Sequence, residues 1–277
     1  MAYIQKTFEN NPHRTGMARM VDGISYSAVG GDKTVLTLLR PWEEAARYPL
    51  VVFVQGSAWT TPDRGYEIPQ LSRLAQEGYA VATVCHRSAT EGNPFPAFLK
   101  DVKTAIRFLR THAADYSIDP EHVCIYGTSS GGNTALLVGA TGDDPRFETD
   151  EYQGVSDAVN CVAACFGPTD LAGMLTDETM RDPIFAGLAG SNNAQTVMRD
   201  MSPLYYVSEA SPFPPCLLAH GTADPVVPYA QAKAMADKLD ACGKEVQLFT
   251  VTDAPHEDTF WSRALVDAIF SFIKAKI

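Results

Sequence analysis

Val123-Cys124-Ile125-Tyr126-Gly127-Thr128-Ser129-Ser130-Gly131-Gly132-Asn133 begins as a short apolar run that reads as a strand and ends in the apolar segment from Thr134 that reads as a helix. Between the two lies a G-x-S-x-G. In that setting the pattern describes a tight, strained turn, where a side chain at either flanking position would collide with neighbouring backbone. Glycine-rich turns produce G-x-S-x-G by chance as well, and the strand-turn-helix context is what makes it specific. Register makes Ser129 the candidate nucleophile, its hydroxyl raised above the sheet edge with the positive end of a helix beside the developing oxyanion. Ser130 is the rival hydroxyl, but only Ser129 has glycine on both sides at the required spacing. Ser130 supplies a backbone N–H next to the nucleophile.

Outward from this turn, short runs rich in β-branched residues alternate with amphipathic segments, the rhythm of a mostly parallel sheet flanked by helices. Strands are expected over 34–39, 50–54, 80–85, 123–126, 159–165, 216–219 and 246–251, and helices over 68–77, 98–112, 130–139, 229–242 and 259–276. Several strands are near-continuous apolar runs, as expected for burial on both faces. The helix from Phe98 places Phe98, Val102, Ala105, Ile106 and Leu109 on one face, with Lys100, Lys103, Arg107 and Arg110 expected outside. Gly78 and Gly243 fall where a helix must stop before a strand. The proline-rich stretch 167–215 breaks the rhythm and reads as an irregular insertion before the penultimate strand, either a lid-like loop or a surface-packed connection. The whole chain, 1–277, is read as a single domain.

A serine nucleophile needs a base of near-neutral pKa and an acid to orient it. After the run 216–219 comes His220-Gly221-Thr222-Ala223-Asp224-Pro225-Val226-Val227-Pro228, and after 246–251 comes Thr252-Asp253-Ala254-Pro255-His256-Glu257-Asp258. Asp224 and His256 thus follow Ser129 in the order nucleophile, acid, base, at one sheet edge. Asp253, three residues from His256, and Asp170, at an earlier strand end, stay open as alternative acids. His220 reads as a structural hydrogen-bonder, and chain order speaks against His86 as the base. His13, His112 and His122 show no partner pattern and are expected to be solvated.

The oxyanion needs backbone N–H groups from a loop without bulky side chains. Gln55-Gly56-Ser57-Ala58-Trp59 follows the run 50–54, and Ser57 and Ala58 join the N–H of Ser130 as candidate donors. Trp59 and Tyr66, near the mouth, are candidate substrate contacts unless they merely pack the loop.

Composition narrows the function classes. A net charge of −11 argues against a protein that grips nucleic acid, which requires a concentrated basic surface. With 45% hydrophobic and 20% charged residues the chain is expected to fold rather than remain disordered. The first residues lack an apolar signal core and no run approaches a membrane span, so a cytoplasmic protein without membrane association is expected. Cys85, Cys124 and Cys216 sit in or beside apolar runs, and Cys161 and Cys165 lie within another, so reduced structural thiols are expected. No cysteine shows metal-ligand spacing, and neither a phosphate-binding nor a dinucleotide-binding glycine motif is present, so no metal or cofactor is expected.

Taken together, these motifs resemble those of α/β-hydrolases of the esterase and lipase group. The likeness is strongest to small acetyl-esterase-like enzymes related to hormone-sensitive lipase and to BD-FAE-like carbohydrate esterases. It runs from about Val35 to the C-terminus. Its carriers are Gly127-Thr128-Ser129-Ser130-Gly131-Gly132, the segment from His220 to Pro228, and Ser202-Pro203-Leu204-Tyr205-Tyr206-Val207 leading into it. The resemblance implies a serine carboxylesterase acting through an acyl-enzyme on a small-molecule ester, with short acyl groups such as acetyl, on a sugar among other alcohols. Aryl (feruloyl) esters and formamidase-type amides fit the same chemistry, and a catalytically silent hydrolase fold used as a binding module is the alternative outside enzymes. Two departures stand out. The family's His-Gly-Gly-Gly-Trp loop reads Gln55-Gly56-Ser57-Ala58-Trp59 here, and two carboxylates, Glu257 and Asp258, follow the base. The second bears on the pH optimum.

Overall fold

The computed structural model describes residues 3–43 and 47–277. Eight strands form one sheet in the order β1-β2-β4-β3-β5-β6-β7-β8. They are β1 (Ala18–Ser25), β2 (Val35–Pro41), β3 (Tyr48–Val54), β4 (Ala80–Val84), β5 (Ile118–Thr128), β6 (Cys161–Cys165), β7 (Cys216–Gly221) and β8 (Val246–Val251). β1 runs antiparallel to β2 and β2 antiparallel to β4, while every pairing from β4 through β8 is parallel. The apolar runs explain the centre: every residue of β4 and β6 is buried.

Alternate residues of β3 serve two cores. Leu50, Val52 and Val54 pack with residues of α2 (Ala97–Thr111), α4 (Ser130–Ala140) and α7 (Ala230–Ala241), whereas Val51 and Phe53 pack with α1 (Ile68–Gln76) and α8 (Arg263–Lys276). This is the period-2 alternation of a strand buried on both faces. The chain winds from β3 to β4 in one direction and then returns past β3 to β5, so strand order reverses between β3 and β5. Loops leaving the carboxyl ends of strands at such a reversal form a crevice. Here they are the Gln55–Trp59 loop and the turn holding Ser129.

The structure departs from the sequence expectations in four places. β1 was not anticipated: as an edge strand most of its residues are exposed, and its register breaks between Val21 and Ile24, so no apolar run or clean alternation marks it. Stretch 167–215 is irregular over most of its length but not throughout. It carries α5 (Pro183–Ala189), capped by Asp182, and α6 (Ala194–Asp200), capped by Asn193, and it buries Leu188, Val197, Met198 and Met201. The backbone N–H of Phe95 donates to Leu188 O at 3.0 Å, so this stretch packs onto the body. Lys103 and Arg107, expected outside α2, are buried because Asp157 lies against them; Lys103 Nζ sits 2.8 Å from Asp157 Oδ1. The expected helix 259–276 is a 3-10 turn at Asp258–Phe260 followed by α8. A short α3 (Ala113–Tyr116) follows α2.

Cys85, Cys124, Cys161, Cys165 and Cys216 are buried free thiols, and burial pushes the Cys165 and Cys216 thiols up. Among the described residues no helix is long and apolar enough to cross a membrane.

Candidate active site

Ser129 follows β5 directly and holds the N-cap position of α4 with φ 51° and ψ −123°, a conformation that costs a non-glycine residue about 1–3 kcal/mol. Neighbouring strands hold it there: its N–H donates to Cys165 O at 2.9 Å, at the end of β6. The glycine spacing has a direct steric cause. A Cβ on Gly127 would lie 2.2 Å from Gly131 O, and one on Gly131 would lie 2.0 Å from Val54 O.

Because β5, β7 and β8 are parallel, their following loops meet at one edge. His256 Nε2 lies 3.0 Å from Ser129 Oγ, and His256 Nδ1 lies 2.7 Å from Asp224 Oδ2. Asp224 Oδ1 accepts the N–H groups of Val226 and Val227 at 2.8 and 2.9 Å, and the carboxylate side chain is fully buried. A buried acceptor facing Nδ1 assigns that nitrogen the proton and leaves Nε2 to accept from the serine hydroxyl. The edge of Phe166 closes on the imidazole, with ring centroids 4.6 Å apart.

The other candidates lie apart from this chain of contacts. Asp253 is exposed in a turn at φ 56°, its N–H donating to Thr222 Oγ1. Asp170 instead accepts the Gly173 N–H. His220 is the expected structural hydrogen-bonder: buried, with Nε2 2.8 Å from Val227 O and 3.2 Å from Asp224 Oδ2. Burial lowers its pKa and keeps the ring neutral. His86 is likewise buried, with Nδ1 on Arg87 O. His112 and His122 reach solvent as expected, and each also pairs with an aspartate three residues away, Asp115 and Asp119.

The Gln55–Trp59 loop is clasped to the turn by the two hydroxyls flanking Ser129. Thr128 Oγ1 accepts the Gly56 N–H and Ser130 Oγ accepts the Ser57 N–H, both at 2.9 Å. This corrects the reading of Ser57 as an oxyanion donor, because its amide is already taken by the Ser130 hydroxyl. Ala58, exposed at φ 51°, and Ser130, first residue of α4, keep N–H groups that meet no acceptor among the described residues. Inside the loop, Ser57 Oγ donates to Thr60 O at 2.8 Å, and Gln55 Oε1 accepts the Asp63 N–H at 2.6 Å, so the glutamine braces the loop.

Trp59 also needs correction. It is 5% exposed, with Phe98 and Phe185 ring centroids 6.3 and 6.4 Å away. It packs the loop and presents no face for stacking. Tyr66 is 56% exposed and remains at the surface beside Glu67. Sequence reasoning missed Glu67 and Phe166. Neither belongs to a motif, and only the approach of the 256–261 loop gives them a setting. Burial first and then the charge of Glu257 push the Glu67 carboxyl up to about 7.

Residues 36–239 match the BD-FAE family. Among curated relatives, the esterase LipQ of Mycobacterium tuberculosis is 31% identical over 274 residues, covering 95% of this chain and 63% of the relative. The esterase LipC of the same organism is 30% identical over 203 residues, covering 71% of this chain and 49% of the relative. The chain therefore spans about half to just under two thirds of these relatives. A solved structure described as a truncated form of a carbohydrate esterase from gut microbiota superposes with a TM-score of 0.79 at 25% identity, covering 96% of this chain and all of that one. Strand order, the serine turn between β5 and α4, and a family match over most of the length converge: the chain belongs to the BD-FAE family and has the α/β-hydrolase fold.

Proposed function

We propose that the protein is a serine carboxylic-ester hydrolase in which Ser129 is the nucleophile, His256 the proton carrier and Asp224 the group that orients the imidazole. The observation that carries this reading is the unbroken hydrogen-bonded chain from Ser129 Oγ through both nitrogens of His256 to Asp224. In the proposed reaction Ser129 Oγ attacks the ester carbonyl carbon while its proton passes to His256 Nε2. The carbonyl oxygen becomes an oxyanion and takes the N–H groups of Ala58 and Ser130, which meet no acceptor among the described residues. Collapse of the tetrahedral intermediate breaks the bond to the alcohol oxygen, and the imidazolium returns the proton to it. Water, deprotonated by His256, then attacks the acyl-serine and releases the acid.

For the substrate we propose a short acyl group, acetyl above all, on a carbohydrate alcohol. The resemblance to acetyl-esterase-like enzymes and the likeness to a carbohydrate esterase structure support this. Activity is then expected to fall about 10-fold or more per added extension once the acyl pocket is filled, since a methylene in a tight pocket alters discrimination by roughly 1–3 kcal/mol. Five buried, unoxidised thiols fit the reducing cytoplasm as the compartment.

The test is Ser129→Ala. It should lower kcat by about 10⁴-fold or more and abolish covalent uptake of a fluorogenic phosphonate. Phosphonate attached at Ser130 in that variant would overturn the assignment. For the acyl group, rates that climb steadily from acetyl to octanoyl p-nitrophenyl esters would do the same.

A further inference from the structure

The loop that carries His256 has three non-glycine residues at positive φ: Asp253 at 56°, Glu257 at 64° and Asp258 at 52°. Aspartate is among the residues that tolerate such angles. Glu257 is different, because with ψ −158° it occupies a region of backbone space that is essentially glycine's alone. A glutamate persists there only where its surroundings impose the conformation, and this one directly follows the proposed base.

The loop is fastened on both sides of the histidine. Ahead of it, the Asp253 N–H donates to Thr222 Oγ1 at 2.8 Å and the Ala223 N–H donates to Ala254 O at 3.1 Å, which ties the loop to the segment carrying Asp224. Gly221 permits this approach, since a Cβ there would lie 2.3 Å from Ala254 O. Behind the histidine, the Phe260 N–H donates to Glu257 O and Trp261 Nε1 donates to Glu257 Oε2, both at 3.0 Å. Trp261 is itself held: the next residue, Ser262, caps α8, and the indole lies 4.9 Å from the Phe260 ring and 5.8 Å from the Phe166 ring, centroid to centroid. Between the two fastenings, Pro255 and His256 make no main-chain hydrogen bond among the described residues. The place of the imidazole therefore depends on its two neighbours' anchors, with Phe166 closing on the ring from one side.

We propose that Glu257 is a positioning residue: its carboxylate, hydrogen-bonded to the Trp261 indole, holds the backbone behind His256 in its strained conformation and so keeps the imidazole between Asp224 and Ser129. The inference rests on the ester-hydrolase reading and deepens it. Glu257 touches none of the reacting atoms in this account; it acts through the histidine. The geometry it protects is demanding, because Nδ1 must stay on Asp224 Oδ2 at 2.7 Å while Nε2 stays on Ser129 Oγ at 3.0 Å. Misplacing a catalytic group by about 1 Å costs on the order of 10²-fold in rate, and a charge-assisted hydrogen bond one residue away is a strong restraint against that drift.

The experiment compares wild type with Glu257→Gly, Glu257→Gln and Trp261→Phe. It reads kcat and KM on p-nitrophenyl acetate, Tm, and the low-field proton resonance of His256 Nδ1–H on Asp224, identified by its loss in Asp224→Asn. Glycine adopts the backbone conformation without strain but drops the carboxylate. Glu257→Gly should therefore keep a Tm within about 3 °C of wild type, lose about 10-fold in kcat with KM within about 2-fold, and exchange the Nδ1 proton with water about 10-fold faster. Trp261→Phe should lose as much in kcat, and combining the two should cost no more than either alone, because both break one bond. Glu257→Gln keeps an oxygen for the indole N–H and should stay within about 3-fold of wild type in kcat. A Glu257→Gly kcat within about 2-fold of wild type, single losses that multiply, or a Glu257→Gln as slow as Glu257→Gly would overturn the inference. So would a kcat loss in Glu257→Gly accompanied by a fall in Tm of more than about 5 °C, the mark of a merely structural residue. Undiminished turnover in Glu257→Gly removes the positioning role and leaves the ester reading standing. A wild type that hydrolyses no ester removes that reading, and the Nδ1 proton then decides: faster exchange in Glu257→Gly upholds the inference and unchanged exchange overturns it.

Discussion

Replacing Asp224 by asparagine tests the proposed orienting acid most sharply, because the surroundings dictate which way the amide must face. Asp224 Oδ1 accepts two backbone N–H groups, from Val226 and Val227, at 2.8 and 2.9 Å. An amide nitrogen placed there would confront two donors, so the asparagine oxygen takes that side and Nδ2 takes the place of Oδ2. That place lies 2.7 Å from His256 Nδ1 and 3.2 Å from His220 Nε2. His220 Nε2 faces Val227 O and carries its own proton, so it cannot accept from the new amide. His256 Nδ1 is the remaining acceptor, which places the imidazole proton on Nε2, facing Ser129 Oγ. The base then has no lone pair for the serine proton. A wrong tautomer of this kind costs about 10⁴-fold in kcat in a serine triad, or roughly 5.4 kcal/mol of barrier, with the fold retained. The assay is kcat on p-nitrophenyl acetate alongside the rate of phosphonate inactivation, with circular dichroism to show an unchanged fold. A loss below about 100-fold, or a greater loss from Asp253→Asn, would refute the reasoning.

Asp157→Asn should destabilise the protein by about 3–5 kcal/mol in urea unfolding, because it leaves the buried cations of Lys103 and Arg107 without their counter-charge; a loss below about 1 kcal/mol would contradict that burial. Glu67→Gln should gain stability over wild type as pH rises. The Glu67 carboxyl titrates at about 7 in the folded protein against an ordinary 4.5, so the folded state holds the extra proton and wild-type stability declines across that window. The difference in Tm between the two proteins should therefore vanish below about pH 4.5 and level off above about pH 7; a difference independent of pH would refute it.

Much of the fold and all three members of the candidate triad were legible in the chain because they rest on short-range causes. The Gly127–Gly131 spacing is imposed by backbone contacts within one turn and with the adjacent strand end. The central strands announce themselves as apolar runs because both their faces are covered. The order of Ser129, Asp224 and His256 follows from parallel strands whose following loops must share an edge. What the chain did not disclose depends on which distant surfaces meet. β1 lies at an edge and needs few apolar residues, and α5 and α6 sit among prolines that mask their short periodic faces.

The same distinction runs through the site. By itself the sequence determined a strained serine turn, a small-residue loop and an acid and base in fixed order, since backbone sterics and hydrophobic periodicity act over a few residues. The tertiary structure alone decided that Asp157 draws Lys103 and Arg107 into the interior, that the Ser130 hydroxyl takes the Ser57 amide, that Trp59 is packed away between phenylalanines, and that Glu67 comes to face the His256 loop. Each of these is a pairing of polar or aromatic groups from separate segments, and such groups have no preferred partner until the sheet and its helices bring them within a few ångströms.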